Sequence, residues 1–225
     1  MQLLYPCIGF SFVFFVGYLY LLMKIDHPQR PRSHDDYEKC LFRLGHALDD
    51  LKLRWFITYG TALNYWRSKK FTGSDMDTAI FYEDYRARNL TEKEFLLFLK
   101  NKYQLKLTSH YGQIKHGKEW TFACVEAKIS VDIFLVYRYN ETKYSFKYWA
   151  ASYNDLCDKM IYGKCRWGFS DFNLTQVNVH GKDFQIVPLS FIIERYGQDY
   201  RKPKRYNYFQ SLRILPNLIK EYKEK

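Results

Sequence analysis

Residues 57–81 read ITYGTALNYWRSKKFTGSDMDTAIF, and inside them an aspartate pair, Asp75 and Asp77, stands at the mouth of an apolar run. Two carboxylates at i and i+2 are either the acidic tip of a surface turn or a clamp for a cation. What flanks them decides. Upstream, RWFITYG reads as a short β-branched and aromatic strand ending at Gly60. TALNYWRSKK reads as a helix of two to three turns with Thr61 near its N-terminus. Asp75 and Asp77 then open a second strand, TAIFY. On an extended backbone the two side chains point the same way, so both can ligate one hard cation at about 2.0–2.1 Å. Gly60 lets the backbone approach a phosphate closely, and Thr61 with the helix N-terminus offers amide donors to an anion.

Working outward, residues 24–34 (KIDHPQRPRSH) are polar and read as a stem. Ser33 or Asp35 is placed to cap a helix in which Tyr37, Leu41, Leu44, Leu48 and Leu51 recur on one buried face. Thr91-Glu-Lys-Glu94 is a capping box ahead of FLLFLKN. Three strands follow, YQLKLTSHY, EWTFACVEA and KISVDIFLVYRY, with HGK and AK as turns. Further short strands lie between 145 and 187, among them the hairpin QVNVHGKDFQIV. Pro188 precedes a helix, LSFIIERYG, that stops at Gly197. The tail from Arg201 is basic and reads as half helical, broken at Pro216. The expected fold is α+β, a mixed or antiparallel sheet flanked by helices. It is expected as one domain over 35–203, followed by a basic tail over 204–225.

The third carboxylate of interest is Asp132, alone in the apolar run SVDIFLV. Alternation puts Val131, Ile133 and Leu135 on one face and Asp132 with Phe134 on the other. A lone aspartate is costly to bury unless it faces a metal, a cation or water. If its strand neighbours that of the pair, Asp75, Asp77 and Asp132 can surround one or two Mg²⁺ ions. Arg67, Lys69 and Lys70 lie on the helix leading into the acidic loop, where they can steady a pyrophosphate.

The chain has 225 residues, 47% apolar and 26% charged, with a formal charge of +11 that suits anionic company. Residues 1–23 carry no charged side chain, about the length needed to cross a bilayer, and show no small-residue cleavage site. They read as an uncleaved signal anchor. Lys24, Arg30 and Arg32 follow the span, which by the positive-inside rule would leave the bulk of the chain in the cytosol. Sequons at Asn89, Asn140 and Asn173 argue the reverse and favour a lumenal domain. An anchor and lumenal sequons fit poorly with nucleic-acid binding. Four cysteines outside the span, Cys40, Cys124, Cys157 and Cys165, can pair in an oxidising lumen, Cys157 with Cys165 being the natural local bridge. No C-x-x-C or H-x-x-x-H spacing speaks for zinc.

With these motifs in order, the sequence resembles the LicD/fukutin family of phosphotransferases, which have a nucleotidyltransferase-like fold. The resemblance rests on ITYGTALNYWRSKKFTGSDMDTAIF, VDIFLV and VPLSFIIERYGQDYRKP, and covers most of residues 35–203. By its pattern Gly60, Thr61, Arg67, Asp75, Asp77, Asp132, Tyr196 and Gly197 match. It departs in the loop KFTGSDMD, which is short and has Ser74 where another carboxylate often stands. The resemblance implies transfer of a phospho-alditol or phosphocholine group from a CDP-linked donor to a glycan hydroxyl, with Mg²⁺ or Mn²⁺, in the Golgi or endoplasmic reticulum. Two rival readings are a glycosyltransferase with a metal-bound nucleotide sugar, and an inactive membrane-anchored relative acting as a binding partner. Against the first, only about fifty residues of the expected soluble domain precede Asp75, too few for an upstream nucleotide-binding region.

Overall fold

A computed structural model describes residues 34–73, 75–124, 128–139, 145–152, 164–203 and 217–222, all within one compact unit, Arg32–Lys225. The expected anchor over 1–23, Asn140 and Cys157, and the side chain of Cys165, lie outside what is described. Among the described residues no helix is long and apolar enough to cross a membrane.

In chain order the elements begin with α1 (His34–Asp50), β1 (Trp55–Ile57), α2 (Tyr59–Ser68) and β2 (Asp75–Phe81). Next come α3 (Tyr82–Ala87), α4 (Glu92–Tyr103), β3 (Leu105–Gln113), β4 (Gly117–Cys124) and β5 (Ile129–Arg138). The chain continues with β6 (Tyr148–Ser152), β7 (Lys164–Phe169), β8 (Thr175–Val179), β9 (Lys182–Ile186), α5 (Leu189–Tyr196) and β10 (Leu218–Tyr222). The fold is α+β with a mixed sheet. Its strands run β10-β7-β6-β5-β2-β1-β9-β8, and the β3–β4 hairpin attaches to β5 through β4. Two pairings are parallel, β2 with β5 and β1 with β9.

Local chemistry sets the element ends. Thr91 accepts from the Glu94 amide, and Glu94 reaches back to the Thr91 amide at 2.9 Å, so the capping box satisfies two orphan donors of α4. α1 buries Tyr37, Leu41, Leu44 and Leu48, as its spacing predicts. The sheet separates two cores. Alternation from the Asp77–Asp132 register puts Met76, Thr78, Ile80, Val131, Ile133 and Leu135 on one face, where α4 packs Phe95 on Trp120 at 5.0 Å. The other face carries Asp77, Ala79, Asp132 and Phe134 and is covered by α2 and α5. There Tyr59 meets Phe134 edge-on at 4.9 Å, and Phe169 stacks on Phe191 at 4.0 Å.

Of the tail, read as half helical and broken at Pro216, residues 204–216 and 223–225 lie outside the described residues. Leu218–Tyr222 is a strand paired antiparallel to β7. The free edge of β7 presents unpaired N–H and C=O groups, and a five-residue strand satisfies them where an isolated helical turn would not.

Candidate metal centre

The register of β2 on β5 builds the site. Asp77 stands directly across from Asp132, and Asp75 lies two residues before Asp77 on the same face. One carboxylate oxygen from each of Asp75, Asp77 and Asp132 lies within 4.8 Å of the others. Asp75 is exposed and the other two are half-buried. Asp132 Oδ1 is buried without a hydrogen-bond partner.

The electrostatics reflect this crowding. Burial, then the charges of Asp75 and Asp132, hold the Asp77 carboxyl well above the usual range, against a lowering contribution from the Thr61 amide. Burial pushes Asp132 up to about 6, partly offset by a hydrogen bond with Thr121 and reinforced by Asp75. Carboxylates so placed either keep protons or share a cation. A divalent cation fits these residues, because it would neutralise the three charges and give the orphaned Asp132 oxygen a partner.

Asp77 is held by the turn that precedes α2. Tyr59 enters the helix at φ 41°, a left-handed conformation costly for an aromatic residue. Burial of its ring against Phe134 offsets that cost. The sharp turn brings Gly60 beside Asp77, so close that a Cβ there would lie 2.9 Å from Asp77 Oδ2. The Thr61 amide donates to Asp77 Oδ2 at 3.1 Å, and the Asp77 amide donates to Thr61 Oγ1 at 2.8 Å. Tyr37 Oη lies 2.8 Å from Thr61 Oγ1 and donates to the Asp75 carbonyl at 2.9 Å. β1 ends at Ile57, opposite Thr78, so the main chain of Asp75 and Asp77 extends beyond its partner strand. Two hydroxyls take over where the ladder stops, running Asp77 N–H to Thr61 to Tyr37 to Asp75 C=O. The Asp77 N–H and the Asp75 C=O thus find partners beyond the ladder. Gly73, at φ 150°, makes the bend into β2.

No protein-family model matches this chain, and no curated protein sequence is significantly similar to it. Among solved structures it is similar to the crystal structure of lincosamide antibiotic adenylyltransferase LnuA, lincomycin-bound. That match has 9% identity, covers 71% of this chain and 82% of that one, and has a TM-score of 0.41. The functional reading of this site rests on its carboxylate geometry and not on a likeness of this order.

The structure brings Gly60, Thr61, Asp75, Asp77 and Asp132 together and turns Arg67 elsewhere. Arg67 lies six residues beyond Thr61, about 9 Å along the axis of α2, and donates to the carbonyls of Tyr200 and Lys202. Lys70 is exposed just past the helix end. Asn89 and Asn173 are exposed in loops. Cys40 and Cys124 are buried free thiols, hydrogen-bonded to one another, which with burial raises the Cys40 thiol far above its ordinary range.

Two residues of the site escape the sequence motifs. Tyr37 reads as one more apolar position of α1, yet its hydroxyl closes the circuit around Asp77. Glu119 is buried on β4, across from Phe134 and two residues from Thr121, which opposes Asp132. Alternation therefore puts it on the carboxylate face, and its charge contributes to raising Asp77. Once β4 is known to neighbour β5, counting in twos along the strand finds it.

Proposed function

We propose that this protein is a metal-dependent phosphotransferase. It moves a phospho-alditol or phosphocholine group from a CDP-linked donor to a sugar hydroxyl of a glycan, the LicD/fukutin-type transfer that the motif order of residues 57–81, 131–136 and 187–203 suggests. The observation that carries the reading is the convergence of Asp75, Asp77 and Asp132 on one face of a parallel strand pair, with Asp77 clamped by Gly60-Thr61. These three carboxylates would hold a Mg²⁺ or Mn²⁺ ion, which when bound offsets charge on the donor pyrophosphate and the departing CMP.

The chain's own groups divide the remaining work. Asp77 is fixed on both its amide and its carboxylate, so its position is set before a ligand arrives. Asp132, directly across from Asp77, is placed either to complete the metal shell or to accept the proton of the attacking sugar hydroxyl. Gly60 and Thr61 shape the wall beside Asp77, and the exposed Lys70 is offered to the donor pyrophosphate. We place the domain in the lumen of the Golgi or endoplasmic reticulum, behind an anchor over residues 1–23, because Asn89 and Asn173 are exposed sequon positions.

The test is release of CMP from a panel of CDP-alditols and CDP-choline with a glycan acceptor and Mg²⁺ or Mn²⁺. Asp77→Asn is expected to abolish release while its circular dichroism matches the parent. Activity near that of the parent in this variant would sink the metal-clamp reading.

A further inference from the structure

At the other end of the β2–β5 pair lies a cleft of about 710 Å³ that the transfer chemistry does not use. Its cations come from three separate places: Arg86 of α3, Lys115 at the β3–β4 turn, and Arg138 at the end of β5. All three are exposed at the rim. One carboxylate stands among them, Glu83, which accepts from the Arg138 amide at 3.3 Å. Aromatic rings line the rest. Tyr137 and Trp149, paired in register across β5 and β6, stack at 4.3 Å and 14°, and Tyr82 lies 4.8 Å from Tyr137 on its other side. The Tyr137 hydroxyl donates to the Ile114 carbonyl at 2.8 Å and so ties the hairpin turn bearing Lys115 to the cleft. Five residues of extended chain, about 17 Å, separate Tyr137 from Asp132, and alternation points the two to opposite faces of the sheet.

Charge and ring packing together select the ligand. Three cations against one carboxylate ask for a ligand with more than one negative group. A nucleobase would need an open ring face. Trp149 has Tyr137 on one side and the Arg166 guanidinium over its ring at 4.2 Å, and Tyr137 lies between Trp149 and Tyr82. With both faces of Tyr137 and Trp149 occupied, the rim guanidinium groups suit a hydroxylated, non-aromatic anion. We propose that this cleft is a second ligand site, for a saccharide carrying two or more sulfate or phosphate groups, separate from the carboxylate centre.

Isothermal titration calorimetry tests this on the full chain in a non-ionic detergent, freed of metal, at physiological ionic strength. The probes are a sulfated heparin hexasaccharide and a ten-residue oligothymidylate. The hexasaccharide is expected to bind more tightly than the oligonucleotide. The double variant Arg86→Glu/Arg138→Glu, with the parent's circular dichroism, is expected to weaken the hexasaccharide tenfold or more, and Asp77→Asn to leave it unchanged. Affinity within twofold of the parent in the double variant would overturn the site. So would loss of binding in Asp77→Asn, which would move the anion to the carboxylates, and tighter binding of the oligonucleotide would overturn the ligand class.

Discussion

The two ends of the β2–β5 pair carry opposite chemistry. At one end Asp75, Asp77 and Asp132 crowd together, and burial raises two of them toward their neutral forms. At the other, Arg86, Lys115 and Arg138 rim a cleft walled by stacked rings. The difference lies in what holds each side chain. The acidic end is over-determined: Asp77 is bonded at its amide, its carbonyl and its carboxylate, to Thr61 and Thr58. The basic end is rigid only in its aromatic walls, and its charges stand on exposed side chains. A fixed cluster of like charges stores repulsion that a cation relieves, whereas exposed cations adapt to a ligand.

The largest effect on this contrast is expected from Gly60→Ala. Its Cβ would lie 2.9 Å from Asp77 Oδ2, so the carboxylate must move, although the φ of residue 60 imposes no barrier. Transfer is expected to fall by on the order of a hundredfold, as for a displaced catalytic group, with the hexasaccharide still bound at the far end. A fully active Gly60→Ala enzyme would show that Asp77 need not be clamped.

A smaller effect concerns the stored repulsion. The metal-free folded protein holds the Asp132 proton more tightly than the unfolded chain does, its pKa being raised from 3.8 to about 6. The stability from this group is therefore full below about pH 4 and lost as pH rises through about 6. Asp132→Asn removes the loss. At pH 7.5 without metal, the variant is expected to melt about 6–12 °C above the parent, corresponding to roughly 3 kcal/mol. At pH 4 the two should coincide. A variant that melts lower at pH 7.5 would mean that the Asp132 charge is favourable in the empty site.

The smallest expected change is Tyr37→Phe. It opens the hydroxyl circuit and leaves the Asp75 carbonyl without this donor. The cost should be about 1 kcal/mol, read as a lower denaturant midpoint at unchanged slope, with a few-fold loss in metal affinity. No change in either would make the circuit incidental.

Much of the acidic end was legible because local periodicity determines it. The i, i+2 spacing fixed the common face of Asp75 and Asp77, and the apolar run 129–136 fixed the face of Asp132. The α4 cap and the β8–β9 hairpin were legible for the same reason. What the sequence hid depends on partners distant along the chain. Glu119 opens the strand EWTFACVEA, where a charge carries no mark of the face it joins. Thr61 read as a phosphate donor, yet its amide meets Asp77 once β1 stops short of β2. β10 forms because β7 has an open edge, and the basic cleft draws on residues as far apart as 82 and 149. None of these has a signature within one window.

The central claim is that Asp75, Asp77 and Asp132 form a divalent-cation site. Titration of Mn²⁺ into the metal-free full chain, followed by electron paramagnetic resonance of the free ion, measures it most directly. The parent is expected to take up Mn²⁺ with an affinity that rises with pH through about 6, and Asp77→Asn to show no such saturable uptake. Equal Mn²⁺ binding by the parent and by a folded Asp77→Asn would contradict the account.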